Sequence, residues 1–160
     1  GVINHHYVKE PWIEAALRWP GMMAVSDATP AFGEKVLSNP NLSGTFSRFI
    51  GHYTRDAKIL ALPDALARTS LNQARWLERI APAFKRKGRI QPGMDADLTI
   101  FNAERIAARA TYGKPYQSSV GLPYVVVAGK IVVRNSVVQE TVSPGKRLLA
   151  ANAKFVSPHP

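Results

Sequence analysis

A reverse turn followed by a short alternating segment constrains the fold of this chain most. In residues 91–94, Pro92 fixes the φ angle that the second position of a turn needs, and Gly93 supplies the positive φ that a type II turn requires next. Residues 96–101 then alternate small or apolar side chains with polar ones, which is typical of a half-buried strand. The segment therefore predicts a tight turn that leads into a short buried strand.

Before this turn, the sequence alternates between strand and helix patterns. Residues 2–8 are apolar and β-prone, a helix is predicted to open at the Glu-Pro pair of residue 10, and residues 22–25 form a continuous apolar run, as in strands of a parallel sheet. This order predicts a βαβ unit with Ser26 and Asp27 at the carboxyl end of its second strand. The apolar stripe predicted for the helix comprises Trp12, Ala15, Ala16 and Trp19.

Two longer helices are predicted in the middle of the chain. One begins at Gly44, after a loop rich in Pro, Asn and Ser. The other runs from Pro63 to about Ile80, with Ser70 as an internal cap. The apolar face predicted for the first of them comprises Phe46, Phe49, Ile50, Tyr53 and Ala57.

From about residue 88, short strands and turns replace the helical pattern. Residues 124–127 and 130–133 are β-prone and flank an Ala-Gly pair, which predicts a hairpin. Residues 102–123 between this hairpin and the first predicted strand have no regular pattern, so we expect an irregular connection there.

The composition narrows the class of protein. Of the 160 residues, 46% are apolar and 20% are charged, as in ordinary globular proteins, and no apolar run approaches the roughly 18 residues of a membrane span, so no membrane association is predicted. The chain has no cysteine, which excludes a disulfide framework within it and fits a reducing compartment. The first residue, Gly1, lies inside a predicted strand, so we expect a longer parent polypeptide, with any targeting segment upstream. A cytoplasmic location is expected from the absence of cysteine.

The positive charge of the chain raises the question of nucleic-acid binding. The net charge is +10, but the basic residues are scattered instead of clustered with exposed aromatics. The densest basic run, residues 85–89, falls in a connection, where a solvated loop is expected. We therefore predict no nucleic-acid partner.

Asp27 is the strongest candidate for a catalytic residue. A carboxylate at the point where an apolar strand ends in a loop is where α/β folds place catalytic groups. Beside a bound cation such a carboxylate stays ionised and can accept a proton from water. The alternative is that Asp27 caps the following turn, as Ser-Asp pairs commonly do. The sequence pattern alone leaves both roles open.

Other polar residues are candidates with structural alternatives. His5 and His6 are potential metal ligands, but two adjacent histidines in a strand lack the spacing of a ligand pair, and hydrogen-bonded structural roles are expected. Asp95 and Asp97 are interpreted as turn and strand-edge residues because no third ligand lies near them. Two arginines of the helix after Gly44, Arg48 and Arg55, could pair with an anionic substrate or remain surface charges.

Several segments resemble the amidohydrolase superfamily and, within it, the N-acyl-D-amino-acid deacylases. Residues 88–101 resemble the G-x-I-x-P-G-x-D-A-D-L-x-x-F segment of the superfamily. Residues 43–55 resemble the more specific G-T-F-x-R-x-x-G-x-Y-x-R segment of the deacylases. Residues 110–121 and 124–129 are similar to their A-T-[FY]-x-x-P-x-x-x-x-x-G and Y-V-x-V-x-G segments, and the Ser-Asp pair at 26–27 corresponds to the end of their last barrel strand.

The resemblance implies a fold of the α/β class and a division of the chain into three parts. Residues 1–83 would be the last βα units of a TIM-like (β/α)8 barrel, here the C-terminal part of a metal-dependent hydrolase barrel. Residues 84–142 would be part of a composite β-sandwich domain, and residues 143–160 a C-terminal tail. An eight-stranded barrel takes roughly 250 residues, so most of it would lie outside this chain.

The resemblance also implies a mechanism. In these deacylases a zinc-bound water attacks the amide carbonyl of an N-acyl-D-amino acid, and the strand-end aspartate takes the proton and passes it to the leaving amine. Asp27 would have that role and is a possible ligand. His6 is a weaker ligand candidate, and the main ligands of one or two divalent ions would lie upstream of this chain.

The substrate-binding residues implied by the resemblance are Ser26, Asn41 and Arg48. Asn41 stands where deacylases usually carry an arginine that pairs with the substrate α-carboxylate, and an amide cannot supply that bidentate charged fork. Asp27-Ala28-Thr29 also replaces the usual S-D-G. The substrate could therefore be a different N-acyl compound or a dipeptide, or another arginine could compensate.

The resemblance predicts the C-terminal segment of an amidohydrolase that acts on a linear amide and is inactive as an isolated chain. Its partner would be the N-terminal barrel portion, present as a second chain, a cleaved half or a further segment, and an oligomer remains open. One alternative is a cyclic amidase similar to hydantoinases or dihydroorotases. Another is a non-catalytic assembly fragment.

Overall fold

The structure, a computed structural model, describes residues 7–28 and 39–149. Three helical stretches precede a small antiparallel sheet, so the mixed α/β class predicted from the sequence is confirmed. The helical elements are α1 (Glu10–Arg18), α2 (Asn41–Arg48) with the π-helical continuation Phe49–Asp56, α3 (Leu62–Leu66), the π-helical segment Ala67–Leu71, α4 (Asn72–Leu77) and a short 3-10 helix (Pro82–Arg86).

Helix α1 begins where the sequence predicted, but it packs through a different face. Trp12 and Trp19 of the predicted stripe are 57% and 70% exposed, whereas Ile13 and Leu17 contact the core. Those two residues are four positions apart and therefore lie on one face of the helix. At the end of α1, Arg68 donates hydrogen bonds from Nη1 to the carbonyls of Leu17 (2.8 Å) and Trp19 (2.7 Å), which satisfies acceptors that the helix leaves unpaired.

The second helical stretch begins at Asn41, three residues before the predicted start at Gly44. The Asn39 side-chain Oδ1 accepts the Asn41 N–H at 3.0 Å and stabilises this start. The residues buried on the predicted apolar face are Phe49, Ile50 and Tyr53, while Phe46 stays exposed.

A close approach to the chain near Ile106 explains why residue 51 is a glycine. A Cβ on Gly51 would lie 2.3 Å from the Ile106 carbonyl oxygen, a distance that no side chain can tolerate. Four residues further along the helix, Arg55 donates from Nη1 to the carbonyls of Glu104 (3.1 Å) and Ile106 (2.8 Å). The helix is therefore joined to the connection after the first strand by both packing and hydrogen bonds.

The third helical stretch extends from Leu62 to Leu77, close to the predicted bounds. The predicted internal cap at Ser70 is wrong. The Ser70 hydroxyl donates to the carbonyl of Leu66 at 2.9 Å, four residues back, within a helix that continues without a break. A hydroxyl that bonds the preceding turn does not end a helix, because the backbone ladder remains intact.

The sheet has the order β1-β2-β3-β4, with every neighbouring pair antiparallel. The turn before β1 is confirmed, since the Met94 N–H donates to the Gln91 carbonyl at 3.2 Å and Gly93 has φ +82°. The hairpin is also confirmed: Ala128 and Gly129 have φ +48° and +78°, as two-residue hairpin turns require. The strands are β1 (Leu98–Ile100), β2 (Tyr124–Val127), β3 (Lys130–Arg134) and β4 (Val137–Val138).

The predicted strand at residues 22–25 is wrong for the described part of the chain. This segment pairs with no strand there, and its backbone bonds a helix instead. The Ala24 N–H donates to the Arg68 carbonyl at 2.9 Å, and Gln73 Nε2 donates to the Ala24 carbonyl at 2.8 Å. The segment is half-buried, with Val25 69% exposed, and an apolar run alone does not distinguish a strand in a ladder from an extended segment packed on a helix. Most of the strand predicted at residues 2–8 lies outside the described residues, and residues 7–8 are not in a strand.

The core joins the helices to the connection between β1 and β2. Its buried members are Leu17, Phe49, Ile50, Tyr53, Ile59, Ala65 and Ile106. Phe101 and Leu122, at the two ends of that connection, pack against this cluster from the side of the sheet. The helices and the sheet therefore meet along residues 101–122, which otherwise form the irregular connection that the sequence predicted.

Candidate functional site

Asp27 ends the extended segment that packs on the third helical stretch. Its φ is +47°, in the left-handed region where Asp, Asn and Gly are the residues most readily accommodated. Its side chain is exposed, and no hydrogen bond or ion pair from residues 7–28 or 39–149 engages its carboxylate. The turn-capping alternative therefore has no hydrogen bond in the described residues, and the carboxylate is available to solvent.

A cavity of about 820 Å³ lies between the helices and the sheet. Its walls come from the start of α2, the π-helical segment Ala67–Leu71, residues 88–90 and strand β1. Ser26 and Asn41 both line it, so the structure brings together two of the predicted substrate-binding residues. Asp27 and Arg48 are not among the residues that line it. The cavity is large enough for a small molecule or a short chain segment.

Asn41 is the first residue of α2 and lies at the cavity wall. Its N–H is bonded to Asn39 Oδ1, and its carbonyl accepts the Thr45 hydroxyl at 3.1 Å. Because both backbone groups are occupied, only the neutral side-chain amide remains for a ligand. This position therefore offers hydrogen bonds and no charge.

Arg48 lies at the other end of α2, beside α1. Its Nη2 is 3.7 Å from Glu10 Oε1 and 3.5 Å from the Tyr53 hydroxyl, and the guanidinium carbon lies 5.2 Å from the centre of the Tyr53 ring. Burial raises the pKa of Tyr53, the hydrogen bond with Glu10 raises it further, and Arg48 opposes this. His52 joins the same group, with Nε2 3.8 Å from Glu10 Oε1.

The sequence did not predict this cluster, which consists of Glu10, Arg48, His52 and Tyr53. Arg48 and His52 are four residues apart and predictably share a helix face, and Tyr53 is the next residue along the chain. Glu10 joins them only through the packing of α1 on the second helical stretch, which no local pattern reveals. The structure thus places Arg48 in an interhelical contact, away from Ser26 and Asn41.

Asp95 and Asp97 form ion pairs with the basic run before the turn. Lys87 Nζ is 3.0 Å from Asp95 Oδ2 and also pairs with Asp97, while Arg86 Nη2 is 2.6 Å from Asp95 Oδ1. The Asp97 Oδ1 atom accepts the Ala128 N–H at 2.7 Å. That backbone hydrogen bond is the main cause of the lowered pKa of Asp97, and Lys87 lowers it further.

The basic run is therefore not the simple solvated loop that the sequence predicted. Arg86 and Lys87 pair with the two aspartates, and Arg89 Nη2 bonds Glu78 Oε2 at 2.8 Å. Their charges hold the turn and the end of the helical stretch together. Arg55 is likewise structural, because it bonds two backbone carbonyls and the Asp56 carboxylate, so its predicted alternative as an anion ligand is not supported by its contacts.

The described residues do not by themselves form a metal site. Within residues 7–28 and 39–149, no group of three or more His, Cys, Asp or Glu side chains can hold a metal ion. His6, the weaker of the two predicted ligands in this chain, lies outside the described residues. Asp27 contributes a single carboxylate, which suits one position of a larger site and not a whole one. In the same part of the chain, no helix is long and apolar enough to cross a membrane.

Asp27 follows Ser26, which lines the cavity between the helices and the sheet. The sequence profile of the Amidohydrolase family matches residues 23–133, more than half of the chain, and the chain therefore belongs to this family. The resemblance predicted from the sequence motifs is confirmed.

Two relatives from Alcaligenes xylosoxydans xylosoxydans show which members of the family this chain is similar to. The chain is 34% identical over 91 residues to an N-acyl-D-glutamate deacylase, covering 57% of this chain and 18% of the relative. It is 32% identical over 121 residues to a D-aminoacylase, covering 75% of this chain and 23% of the relative. The chain is thus D-aminoacylase-like or N-acyl-D-glutamate deacylase-like, and it spans less than a quarter of the length of these relatives.

Solved structures agree with this placement. A crystal structure of D-aminoacylase, an amidohydrolase, matches with a TM-score of 0.72 and 29% identity over 82% of this chain and 26% of that one. The N-acyl-D-glutamate deacylase of Bordetella bronchiseptica, solved with zinc and a phosphonate mimic of the tetrahedral intermediate, matches with a TM-score of 0.70 and 33% identity over 78% of this chain and 25% of that one. A further D-aminoacylase structure of similar TM-score, 0.74, is described by its binuclear metal centre.

Proposed function

We propose that the polypeptide carrying this chain is a metal-dependent amidohydrolase that cleaves the linear amide of an N-acyl-D-amino acid or a related N-acyl or dipeptide substrate. The observation that carries this proposal is the match to D-aminoacylase over 82% of the chain at 29% identity. Because the chain spans about a quarter of that structure, the activity belongs to the longer polypeptide and not to these residues alone.

Asp27 is the catalytic residue of the proposal. A divalent metal ion, held by residues elsewhere in the polypeptide, would lower the pKa of water and polarise the amide carbonyl. The Asp27 carboxylate accepts the proton of the attacking water on one oxygen. It then donates that proton to the amide nitrogen as the carbon–nitrogen bond breaks. The exposed, unpaired carboxylate of Asp27 is consistent with this exchange, since no neighbour in the described residues competes for it.

Ser26 and Asn41 are the proposed substrate-binding residues, with Arg48 as a third, more distant candidate. Ser26 is adjacent to Asp27 and lines the cavity together with Asn41. Both side chains can donate hydrogen bonds to an acyl carbonyl or a carboxylate, although neither supplies a charge. We therefore expect the enzyme to distinguish substrates with a free α-carboxylate from those without one less strongly than it would with an arginine at position 41.

The proposed assembly places this chain at the end of a larger fold. Residues 1–83 belong to a TIM-like barrel and residues 84–142 to a composite β-sandwich, with the tail from residue 143 outside both. The remaining barrel is supplied by the rest of the same polypeptide or by a separate chain. The lengths of the solved relatives, about four times the matched region, support this assembly.

The test is hydrolysis by the full-length polypeptide loaded with zinc, assayed on N-acetyl-D-amino acids, their L-enantiomers, D-dipeptides and a hydantoin. We expect release of the D-amino acid, and a loss of at least about a thousandfold in kcat for Asp27→Asn, because the proton acceptor is removed. Asp64→Asn is the matched control, since Asp64 is an exposed carboxylate in the first turn of α3.

Three results would overturn the proposal. Undiminished hydrolysis by Asp27→Asn, at unchanged zinc content, would remove Asp27 from the mechanism. Cleavage of the hydantoin alone would identify a cyclic amidase. No hydrolysis of any substrate by the folded, zinc-loaded polypeptide would identify a non-catalytic assembly.

A further inference from the structure

Ala24 joins the extended segment that ends at Asp27 to the third helical stretch. Its N–H donates to the Arg68 carbonyl at 2.9 Å, and its carbonyl accepts a hydrogen bond from Gln73 Nε2 at 2.8 Å. After Ala24, the backbone up to Asp27 makes no further hydrogen bond within the described residues. In that part of the chain, the bond from Gln73 is therefore the last backbone attachment before Asp27.

The hydrogen-bonding pattern of the helical stretch changes at this contact. Residues Ala67–Leu71 are π-helical, and short π-helical turns inside α-helices are rare and occur frequently at functional sites. Arg68 lies in this turn, and its carbonyl accepts the hydrogen bond from Ala24 and a second one from Gln73 Nε2. The two residues after Arg68 line the cavity. The π-helical turn therefore borders both the cavity and the segment that carries Asp27.

The two carbonyls fix the orientation of the Gln73 side-chain amide. Carbonyl oxygens only accept hydrogen bonds, so the NH2 group must face Ala24 and Arg68, and Oε1 is directed elsewhere. Oε1 is buried and has no hydrogen-bond partner among the described residues. An unpaired buried acceptor is unfavourable, and an apolar side chain of similar size would avoid it. The stability of the described residues alone therefore does not explain a glutamine at this position.

We propose that Gln73 is a positioning residue for Asp27: its amide holds the backbone at Ala24 and thereby fixes where the carboxylate three residues later lies. The inference rests on the proposed function, in which Asp27 transfers the proton. A general base must lie within hydrogen-bond reach of the proton it accepts, and a displacement of about 1 Å can reduce the rate by about a hundredfold. Gln73 is not among the residues that line the cavity, so it acts through Asp27 and not on the substrate.

A purely structural role for Gln73 predicts a different response to substitution. If the amide served only to stabilise the fold, its removal would lower the free energy of unfolding. Gln73→Met removes the donor, which leaves the Ala24 carbonyl unpaired, but it also removes the unpaired Oε1. One unpaired acceptor is exchanged for another, so we expect little change in global stability. A loss of activity at unchanged stability would therefore identify the positioning role.

The experiment uses the full-length polypeptide loaded with zinc. Gln73→Met keeps an unbranched side chain of similar length, and Gln73→Leu is a second apolar variant if the first does not fold. Asn72→Leu is the matched control, because Asn72 is a partly buried amide on the same helix whose side chain makes no hydrogen bond with the described residues. For each variant we measure kcat and KM on the substrate that the parent cleaves, zinc content, the urea unfolding midpoint and hydrogen exchange over residues 24–27.

We expect kcat of Gln73→Met to fall about ten- to a hundredfold, with a smaller change in KM and with zinc content and unfolding midpoint unchanged. Exchange over residues 24–27 should be faster by about tenfold, and Asn72→Leu should match the parent throughout. In the Asp27→Asn background, Gln73→Met should lower the residual kcat by less than about twofold, because a residue that acts through Asp27 has no effect once proton transfer is lost.

Four results would overturn the inference: undiminished kcat in Gln73→Met, an equal loss in Asn72→Leu, full additivity with Asp27→Asn, or unchanged exchange over residues 24–27. Loss of activity in Asp27→Asn without loss in Gln73→Met would remove this inference and leave the proposed function standing. If the parent hydrolyses no substrate, the proposed function fails, and the exchange measurement alone then decides whether Gln73 holds the segment.

Discussion

The Asp97 carboxylate accepts a 2.7 Å hydrogen bond from the backbone N–H of Ala128, 31 residues further along the chain. Ala128 has φ +48°, which is unfavourable for alanine, and it forms the hairpin turn with Gly129. Asp97 immediately precedes β1, so its hydrogen bond with Ala128 fixes the hairpin turn beside the start of that strand. One side chain therefore connects the first strand to the hairpin and stabilises a strained backbone position.

Replacement of Asp97 by asparagine should lower the stability of the sheet. We expect a loss of about 1–2 kcal/mol, because a charge-assisted hydrogen bond to Ala128 and an ion pair with Lys87 are weakened while the shape is kept. Urea unfolding followed by β-sheet circular dichroism measures this. Glu104→Asn is the control for an exposed acid, and equal midpoints for the two variants would contradict the prediction.

The same carboxylate predicts a dependence of stability on pH. The pKa of Asp97 is lowered below its ordinary value of 3.8 in the folded chain, first by the Ala128 N–H and then by Lys87. A lowered folded-state pKa means that the stabilisation is fully present above the unfolded pKa and is lost as the pH falls through the folded pKa. The difference in unfolding midpoint between the parent and Asp97→Asn should therefore be smaller at about pH 3 than at about pH 6. A difference that grows in acid would refute this assignment.

Gly51→Ala should destabilise the contact between the second helical stretch and the connection after β1. The added Cβ would lie 2.3 Å from the Ile106 carbonyl oxygen, so the helix or the connection must move. Overpacking of this kind costs about 1–3 kcal/mol, and the thermal unfolding temperature should fall accordingly. Gly113→Ala is the matched control, because no heavy atom lies within 4 Å of its added Cβ. Equal effects of the two substitutions would count against the close approach.

Arg68→Ala should loosen the carboxyl end of α1. Two hydrogen bonds from Nη1, to the carbonyls of Leu17 and Trp19, are lost, and each charge-assisted bond contributes about 1 kcal/mol or more. Hydrogen exchange over residues 16–24 should accelerate. The control is Arg75→Ala, an exposed arginine of the same helical stretch for which exchange in that segment should not change. Unchanged exchange in Arg68→Ala would show that the contact does not hold the helix end.

Local chemistry made much of this fold predictable. The Pro92-Gly93 turn, the Ala128-Gly129 hairpin and the start of α1 each depend on backbone preferences of a few neighbouring residues, and all three are present. The errors concern packing. Residues 22–25 bond a helix instead of a strand, and α1 buries Ile13 and Leu17 instead of its tryptophans, because the choice depends on which surfaces lie opposite.

The candidate site was predictable only in part. The position of Asp27 at the end of an apolar run singled it out, and Ser26 and Asn41 do line one cavity. Arg48 could not be placed from the sequence, since its contact with Glu10 arises from the packing of two helices. The left-handed backbone of Asp27 also has no sequence signal of its own.

That backbone conformation narrows what can replace Asp27. At φ +47°, most side chains cost roughly 1–2 kcal/mol, and glycine, asparagine and aspartate are the residues that adopt the conformation readily. Aspartate is the only one of the three that carries an acid. Glutamate, the usual conservative exchange for it, would keep the acid and strain the chain. Two kinds of residue therefore fit this position without backbone strain: aspartate, which can accept and donate a proton, and asparagine or glycine, which cannot.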